Sequence, residues 1–398
     1  MSRHERRFLN RTRIQAVTPV FLKVSRPRRA TILRRRDHGI SCMEATQMAH
    51  PKLQFRSTID LLNTLGTNMP RKLGYDEAGG KDDFNKWQAR ARKKLRELLG
   101  FLPVSVTQPR SWLLDTEQVE GFSRERWALE SPFGDHIMFY RLVPDGMEQP
   151  DCVLLALHGH GPFGADAVAG VFLDRPGEKE SITNANYDFG AQFARRGYLV
   201  YAPCHRGFAQ RCDHGNPWEV GQGSSCVDIN ARAILLGSTD IGIRVQDTMH
   251  LIDYIRTQPA EKKAPLGCVG LSGGGHTTEM LAAVDTRVDA ASIQGYFSYW
   301  TEQIMDQTHC NCNYVPHLLE YFEQDDVCAL ICPRPLLVTT ATQDTVAPQK
   351  SFRKAYKALK AIYREHGDEK ALQQEIFDGG HAFTGVKAFG FFDRYLKG

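Results

Sequence analysis

Gly267-Cys268-Val269-Gly270-Leu271-Ser272-Gly273-Gly274-Gly275-His276 joins a short apolar run to a helix-like segment, Thr277 to Ala283. It contains G-x-S-x-G between a strand and a helix, the form of a nucleophile elbow. In such a turn Ser272 sits on strained backbone and its Oγ stands clear of the sheet. Side chains at Gly270 and Gly274 would collide across the turn, so both positions must be small. The helix behind it points its positive end at the serine, which favours a developing oxyanion. Alone, the pentapeptide is also readable as an ordinary Gly-rich strand-to-helix turn. The rest of the chain separates the two readings.

A serine needs a base to take its proton and an acid to hold that base. Downstream of Ser272, the strand-like Leu336 to Ala341 runs into Thr342-Gln343-Asp344. Asp344 thus follows the C-terminal end of a strand, where sites in open α/β sheets lie. Further on, Ile376-Phe377 runs into Asp378-Gly379-Gly380-His381, which places His381 in a Gly-rich loop before the last helix. In isolation Asp344 reads as a turn or cap aspartate and His381 as a surface histidine. In the order Ser272, Asp344, His381 they read as a catalytic triad. Asp325 and Asp326 also lie in that interval but look like a helix cap. An oxyanion hole needs two N–H groups. Gly273 supplies one, and the loop Leu157-His158-Gly159-His160-Gly161-Pro162 supplies the other, at His160 before Gly161.

The texture around these residues alternates. Strands are expected at Cys152 to Leu157, Tyr198 to Ala202, Ala290 to Gln294, Leu336 to Ala341 and Gln374 to Phe377. Helices are expected over Asp188 to Arg196, much of Ile229 to Arg256 with breaks near Gly237 and Gly242, Gln349 to His366 and Phe383 to Leu396. This is an α/β pattern: a mainly parallel twisted sheet with helices on both faces. Upstream, Asp82 to Leu99 carries a helical apolar stripe ended by Gly100, and Arg126 to Glu130 with Ile137 to Val143 reads as a hairpin. The division expected is 1–50 a basic, disordered tail, 51–145 a helix and hairpin extension, and 146–398 a catalytic domain.

Charge is uneven. Residues 1–36 hold twelve Lys or Arg and one acid, a net +11 against +4 for the whole chain, which leaves −7 elsewhere. The folded part therefore lacks a basic footprint for nucleic acid. The tail also fits an Arg-rich organelle presequence, a nucleic-acid arm, or a leader upstream of a start at Met43 or Met48. Ten cysteines in 398 residues do not make a disulfide scaffold. With neither a secretory signal nor an apolar run of membrane-spanning length, a cytoplasmic protein without membrane partners is expected.

His158-Gly159-His160-Gly161, Gly270 to Gly275, Thr342-Gln343-Asp344 and Gly379-Gly380-His381 together resemble an α/β-hydrolase. Within that superfamily the chain is most similar to acetyl xylan esterase-like and dienelactone-hydrolase-related bacterial hydrolases. Leu235-Leu236-Gly237, the helix with Arg244 and Asp247, and Cys310-Asn311-Cys312-Asn313-Tyr314-Val315-Pro316 add to the likeness. It covers residues from about 80 onward. Dienelactone hydrolases proper use cysteine where this elbow carries Ser272, so that activity is not implied. The resemblance implies a serine esterase acting on a small-molecule or carbohydrate ester, with an acetylated carbohydrate favoured and no cofactor. The rivals are a serine peptidase of prolyl-oligopeptidase type and a binding protein on a hydrolase scaffold.

The segment Tyr296 to Asp326 is long for a connection. Tyr296, Trp300 and Tyr314 are expected to form a substrate-facing wall; the alternative is a packed excursion. A zinc site from His309, Cys310, Cys312, Cys328 and Cys332 is disfavoured, because Cys310 and Cys312 are closer than the usual pair and Cys328 and Cys332 lie in an apolar segment. No metal is expected.

Overall fold

Runs such as Val153-Leu154-Leu155-Ala156-Leu157 have no polar face, so they suit strands covered on both sides. Among the described residues nine strands share one sheet: β1 (Ser111–Val119), β2 (Phe122–Glu130), β3 (His136–Pro144), β4 (Val153–Leu157), β5 (Leu199–Pro203), β6 (Leu266–Leu271), β7 (Ala290–Gln294), β8 (Leu336–Ala341) and β9 (Leu372–Phe377). Their order is β1-β2-β3-β5-β4-β6-β7-β8-β9. From β5 to β9 neighbours run parallel, while β2 is antiparallel to both β1 and β3, and β3 is antiparallel to β5. This computed structural model describes residues 57–105, 108–213 and 224–398. The expected tail over 1–50 lies outside the described residues.

Side chains of β4 divide between two cores. Val153, Leu155 and Leu157 join one with the helices Phe84–Leu99, Asp240–Thr257, Gly273–Val284 and Gln349–His366. Leu154 and Ala156 join the other with Phe189–Ala194 and Gly385–Phe392. This is the period-2 alternation of a strand with helices on both faces. The hairpin expected in the 51–145 extension continues the sheet, through pairs such as Phe139 with Pro203 and Leu142 with Val200. Residues 56–398 form one compact unit.

The helix expected from Asp82 starts at Phe84, because the Asp83 side chain accepts the Lys86 N–H at 3.0 Å, and it ends at Gly100 with φ 66°. The stretch Ile229 to Arg256 becomes two helices, Cys226–Leu235 and Asp240–Thr257. Gly237, at φ 72°, lies in the break. Gly242 does not interrupt the second helix: a Cβ there would meet the Leu99 carbonyl oxygen at 2.0 Å, so this glycine serves close packing. No described helix is long and apolar enough to cross a membrane.

Candidate active site

Ser272 lies directly after β6, with β4 and β7 flanking that strand. Its backbone holds φ 59° and ψ −122°, a region that costs a non-glycine residue about 1–3 kcal/mol. The surroundings enforce it. The Ser272 N–H donates to the Gln294 carbonyl at 2.9 Å and its own carbonyl accepts from His276 N–H at 3.0 Å. A Cβ at Gly270 would meet the Gly274 carbonyl oxygen at 2.2 Å, and one at Gly274 would meet that of Leu157 at 2.0 Å. The helix Gly273–Val284 begins at the next residue.

Asp344 follows β8 and His381 follows β9, and the two meet: His381 Nδ1 lies 2.9 Å from Asp344 Oδ2. Asp344 is buried, and its Oδ1 accepts from the N–H groups of Val346 at 2.8 Å and Ala347 at 3.3 Å. A carboxylate facing Nδ1 makes that nitrogen the donor and leaves Nε2 as the acceptor. Nε2 is buried and has no protein partner among the described residues.

The loop after β4 comes over the serine. His158 is buried, with Nε2 accepting from the His205 N–H at 2.8 Å and Nδ1 at 2.8 Å from the Gly159 carbonyl. Burial holds its pKa down to about 3, so the ring is neutral and fixes the loop. The Gly159 N–H donates to the Tyr187 hydroxyl at 2.7 Å. The N–H groups of His160 and Gly273 meet no protein acceptor among the described residues. Ser272, His381, His160 and Tyr187, with Glu180, Ser181 and Asn184, line one cleft of about 390 Å³.

Residues 46–366 match the Abhydrolase family. The chain belongs to that family. The Bacillus subtilis (strain 168) protein YtaP, which carries the name of a hydrolase, is 28% identical over 311 residues, 75% of this chain and 95% of that one. A crystal structure named as an acetyl xylan esterase, from Bacteroides fragilis NCTC 9343, aligns with TM-score 0.69 at 16% identity over 87% of this chain and 91% of its own. A glucuronoyl esterase from Solibacter usitatus aligns with TM-score 0.57 at 15% identity over 79% of this chain and 92% of its own. These likenesses establish the α/β-hydrolase fold.

In this Abhydrolase family member the expected aromatic wall is corrected. Tyr296 and Trp300 are 1% and 0% exposed, and both sit in the hydrophobic core. Tyr296 stacks on His276 at 4.6 Å. Tyr314 packs partly buried, its hydroxyl accepting from His309 N–H and donating to the Ile304 carbonyl, both at 3.2 Å. None of the three lines the cleft beside Ser272. The excursion instead meets the cleft residue His160 through Cys312, whose Sγ lies 3.0 Å from His160 Nε2.

Asp325 and Asp326 do sit at a helix start, but the cap is Glu323. The side chain of Glu323 accepts from the backbone of Asp326, which returns a bond to the Glu323 N–H at 2.8 Å. Neither aspartate bonds to His381. Sequence reading missed the helix Glu178–Ala185, which supplies much of the polar side of the cleft, because no apolar period marks it. It also missed Gly295. With φ 60°, a Cβ there would stand 3.0 Å from His381 Cε1 and 3.2 Å from Asp344 Oδ2. Its position just past the end of β7 was the available signal.

Proposed function

We propose that the chain is a serine hydrolase of carboxylic esters that works through an acyl-enzyme. The observation that carries this reading is one cleft lined by both Ser272 and His381, with His381 Nδ1 bonded to Asp344 and Nε2 left free. Ser272 Oγ attacks the ester carbonyl carbon while His381 Nε2 takes its proton. Asp344 holds the imidazole tautomer and stabilises the imidazolium that forms. The N–H groups of Gly273 and His160 receive the oxyanion, aided by the positive end of the helix behind Gly273. His381 then protonates the leaving alkoxide. Water attacks the acyl-enzyme by the reverse roles and frees Ser272. No hydrogen bond joins Ser272 Oγ to His381 Nε2 among the described residues, and catalytic contacts often tighten only with substrate present.

The acyl group we assign is small and the alcohol a carbohydrate. Glu180, Ser181 and Asn184 give the cleft a polar side suited to sugar hydroxyls. The esterase names among the structural relatives agree with this class. The peptidase reading is weakened by the strands β1 to β3, which occupy the chain where a propeller would have to stand and extend the same sheet instead.

The test sets p-nitrophenyl acetate and acetylated xylo-oligosaccharides against a panel of peptide amides. Turnover of the esters with none of the amides is expected. Amide turnover at a comparable rate would transfer the assignment to the peptidases, and no turnover of any substrate would favour the binding protein.

A further inference from the structure

Beside the cleft, His160 Nε2 and the sulfurs of Cys226, Cys310 and Cys312 converge, all within 4.8 Å of one another. They arrive from three separate places: the loop after β4, the first residue of the helix Cys226–Leu235, and the turn Asn311–Asn313 in the excursion. We propose that these four side chains form a structural zinc site, which ties the loop carrying His160 to that helix and to the excursion. The assignment departs from the expectation of no metal. It also differs from the set weighed from spacing: of His309, Cys310, Cys312, Cys328 and Cys332, only Cys310 and Cys312 take part, and Cys328 instead faces Glu279.

Three observations carry it. The first is donor type and separation. A tetrahedral zinc with bonds of about 2.3 Å to sulfur and about 2.0 Å to nitrogen sets its donors roughly 3.5–3.8 Å apart. Here His160 Nε2 lies 3.0 Å from Cys312 Sγ and 4.0 Å from Cys226 Sγ, so shifts of less than about 1 Å close the cage. Four protein donors leave no open position, which suits a structural ion rather than a catalytic one.

The second is the surroundings. Arg244 is 2% exposed, and its Nη2 donates to Cys226 Sγ at 3.2 Å and to Asp240 Oδ2 at 2.6 Å. Asn313 Nδ2 donates to Cys312 Sγ at 3.7 Å. Metal-bound thiolates accept such bonds, and a buried guanidinium aimed at sulfur is well matched to a site with three thiolates and a net negative charge. Phe208 packs on Cys226 and Cys312, both buried, and stands edge-on to His160 at 5.2 Å, while Cys310 stays partly exposed at the rim.

The third is connection to the elbow. A Cβ on Gly273 would stand 2.7 Å from His160 Nδ1, so the imidazole lies between that glycine and the sulfur cluster. Zinc on Nε2 would hold the ring, and with it the His160 N–H, in register with Gly273. Only this consequence for turnover rests on the proposed esterase reading; the metal assignment stands apart from it.

The test is metal content of the full-length chain, purified without chelator or metal-affinity tag and read by plasma mass spectrometry. About one zinc per chain is expected. Cys226→Ser and Cys312→Ser should lose it, while Cys328→Ser, outside the cluster, keeps it. To separate metal loss from misfolding, the wild type is also produced in cobalt-rich, zinc-poor medium. Tetrahedral cobalt with three thiolates gives visible d–d bands and near-ultraviolet charge transfer, and Cys310→Ser, like the other two ligand variants, should lose both. A wild type holding neither zinc nor cobalt, or a Cys312→Ser variant with full zinc, overturns the site. A metal-free wild type that still cleaves esters removes the metal and leaves the esterase reading; a zinc-loaded wild type inactive on every ester does the reverse.

Discussion

His381 Nδ1 lies 2.9 Å from Asp344 Oδ2, and the other oxygen of that carboxylate is pinned by the N–H groups of Val346 and Ala347. The backbone after β8 therefore aims the acid, and the acid aims the imidazole. Asp344→Asn keeps the shape but must point an NH₂ either at His381 or at two N–H donors. For p-nitrophenyl acetate, kcat is expected to fall by a factor on the order of 10⁴ with little change in KM. Asp326→Asn should keep its kcat and lose about 1–3 kcal/mol of stability, since that buried carboxylate accepts from Tyr75 and Glu323 N–H. Asp325→Asn should keep its kcat as well. A crippled Asp325 or Asp326 variant beside an active Asp344→Asn would move the acid to the other loop.

Ser272 combines the hydroxyl proposed as nucleophile with a backbone that suits glycine, at φ 59°. The two properties separate by substitution. Ser272→Ala and Ser272→Gly should both abolish ester turnover and fluorophosphonate labelling. Ser272→Gly should be the more stable of the pair by about 1 kcal/mol, since it relieves strain that alanine retains. Labelling that survives in either variant would place the nucleophile elsewhere. Equal melting temperatures would mean that the turn is not strained.

Much of this site was legible because its motifs sit at strand ends that the sequence marks clearly. The run Leu336 to Ala341 is rich in aliphatic and β-branched residues and buried along its whole length, so the position of Asp344 after a strand follows from composition. β1 was not legible. Its apolar residues Trp112, Leu113 and Leu114 are consecutive and exposed, so no two-residue alternation marks an edge strand. The aromatic wall failed for a related reason. Aromatic content tells that Tyr296 and Trp300 bury area but not which way, and here they face the core. The full cluster was hidden because His160, Cys226 and the Cys310/Cys312 pair lie far apart from one another in sequence and meet only when the excursion folds back onto the helix after Ser225.

Gly295 is the least obvious member of the site. At φ 60°, it passes so close to the His381–Asp344 pair that any Cβ would touch both side chains. Gly295→Ala should cost about 1–2 kcal/mol from backbone alone. It should also displace the imidazole, lowering kcat by roughly 10²-fold for a shift near 1 Å, with KM less affected. Urea unfolding and ester kinetics on one preparation check both. A variant with lower stability and wild-type kcat would limit Gly295 to a role in the turn.

His276, four residues after Ser272, is buried and stacked on Tyr296, and its Nε2 has no hydrogen-bond partner among the described residues. Burial, assisted by the positive charge of Arg244, holds its pKa down to about 3. An unfolded histidine titrates near about 6.5, so below that pH the unfolded chain takes up a proton that the fold refuses. The neutral ring thus contributes stability in full above about pH 6.5, and this is lost as pH falls toward 3, at up to about 1.4 kcal/mol per pH unit. Other buried groups titrate in the same range, Glu279 among them with a pKa raised to about 8 by burial, so the difference between two proteins is more telling than one profile. His276→Phe preserves the stack and removes the proton site. Between about pH 7 and pH 5.5, the unfolding free energy of the wild type should fall relative to His276→Phe by about 1.2 kcal/mol. Urea titrations followed by tryptophan fluorescence at the two pH values give both numbers. Parallel profiles would mean that the fold accepts the proton, and that the stack on Tyr296 holds a charged ring.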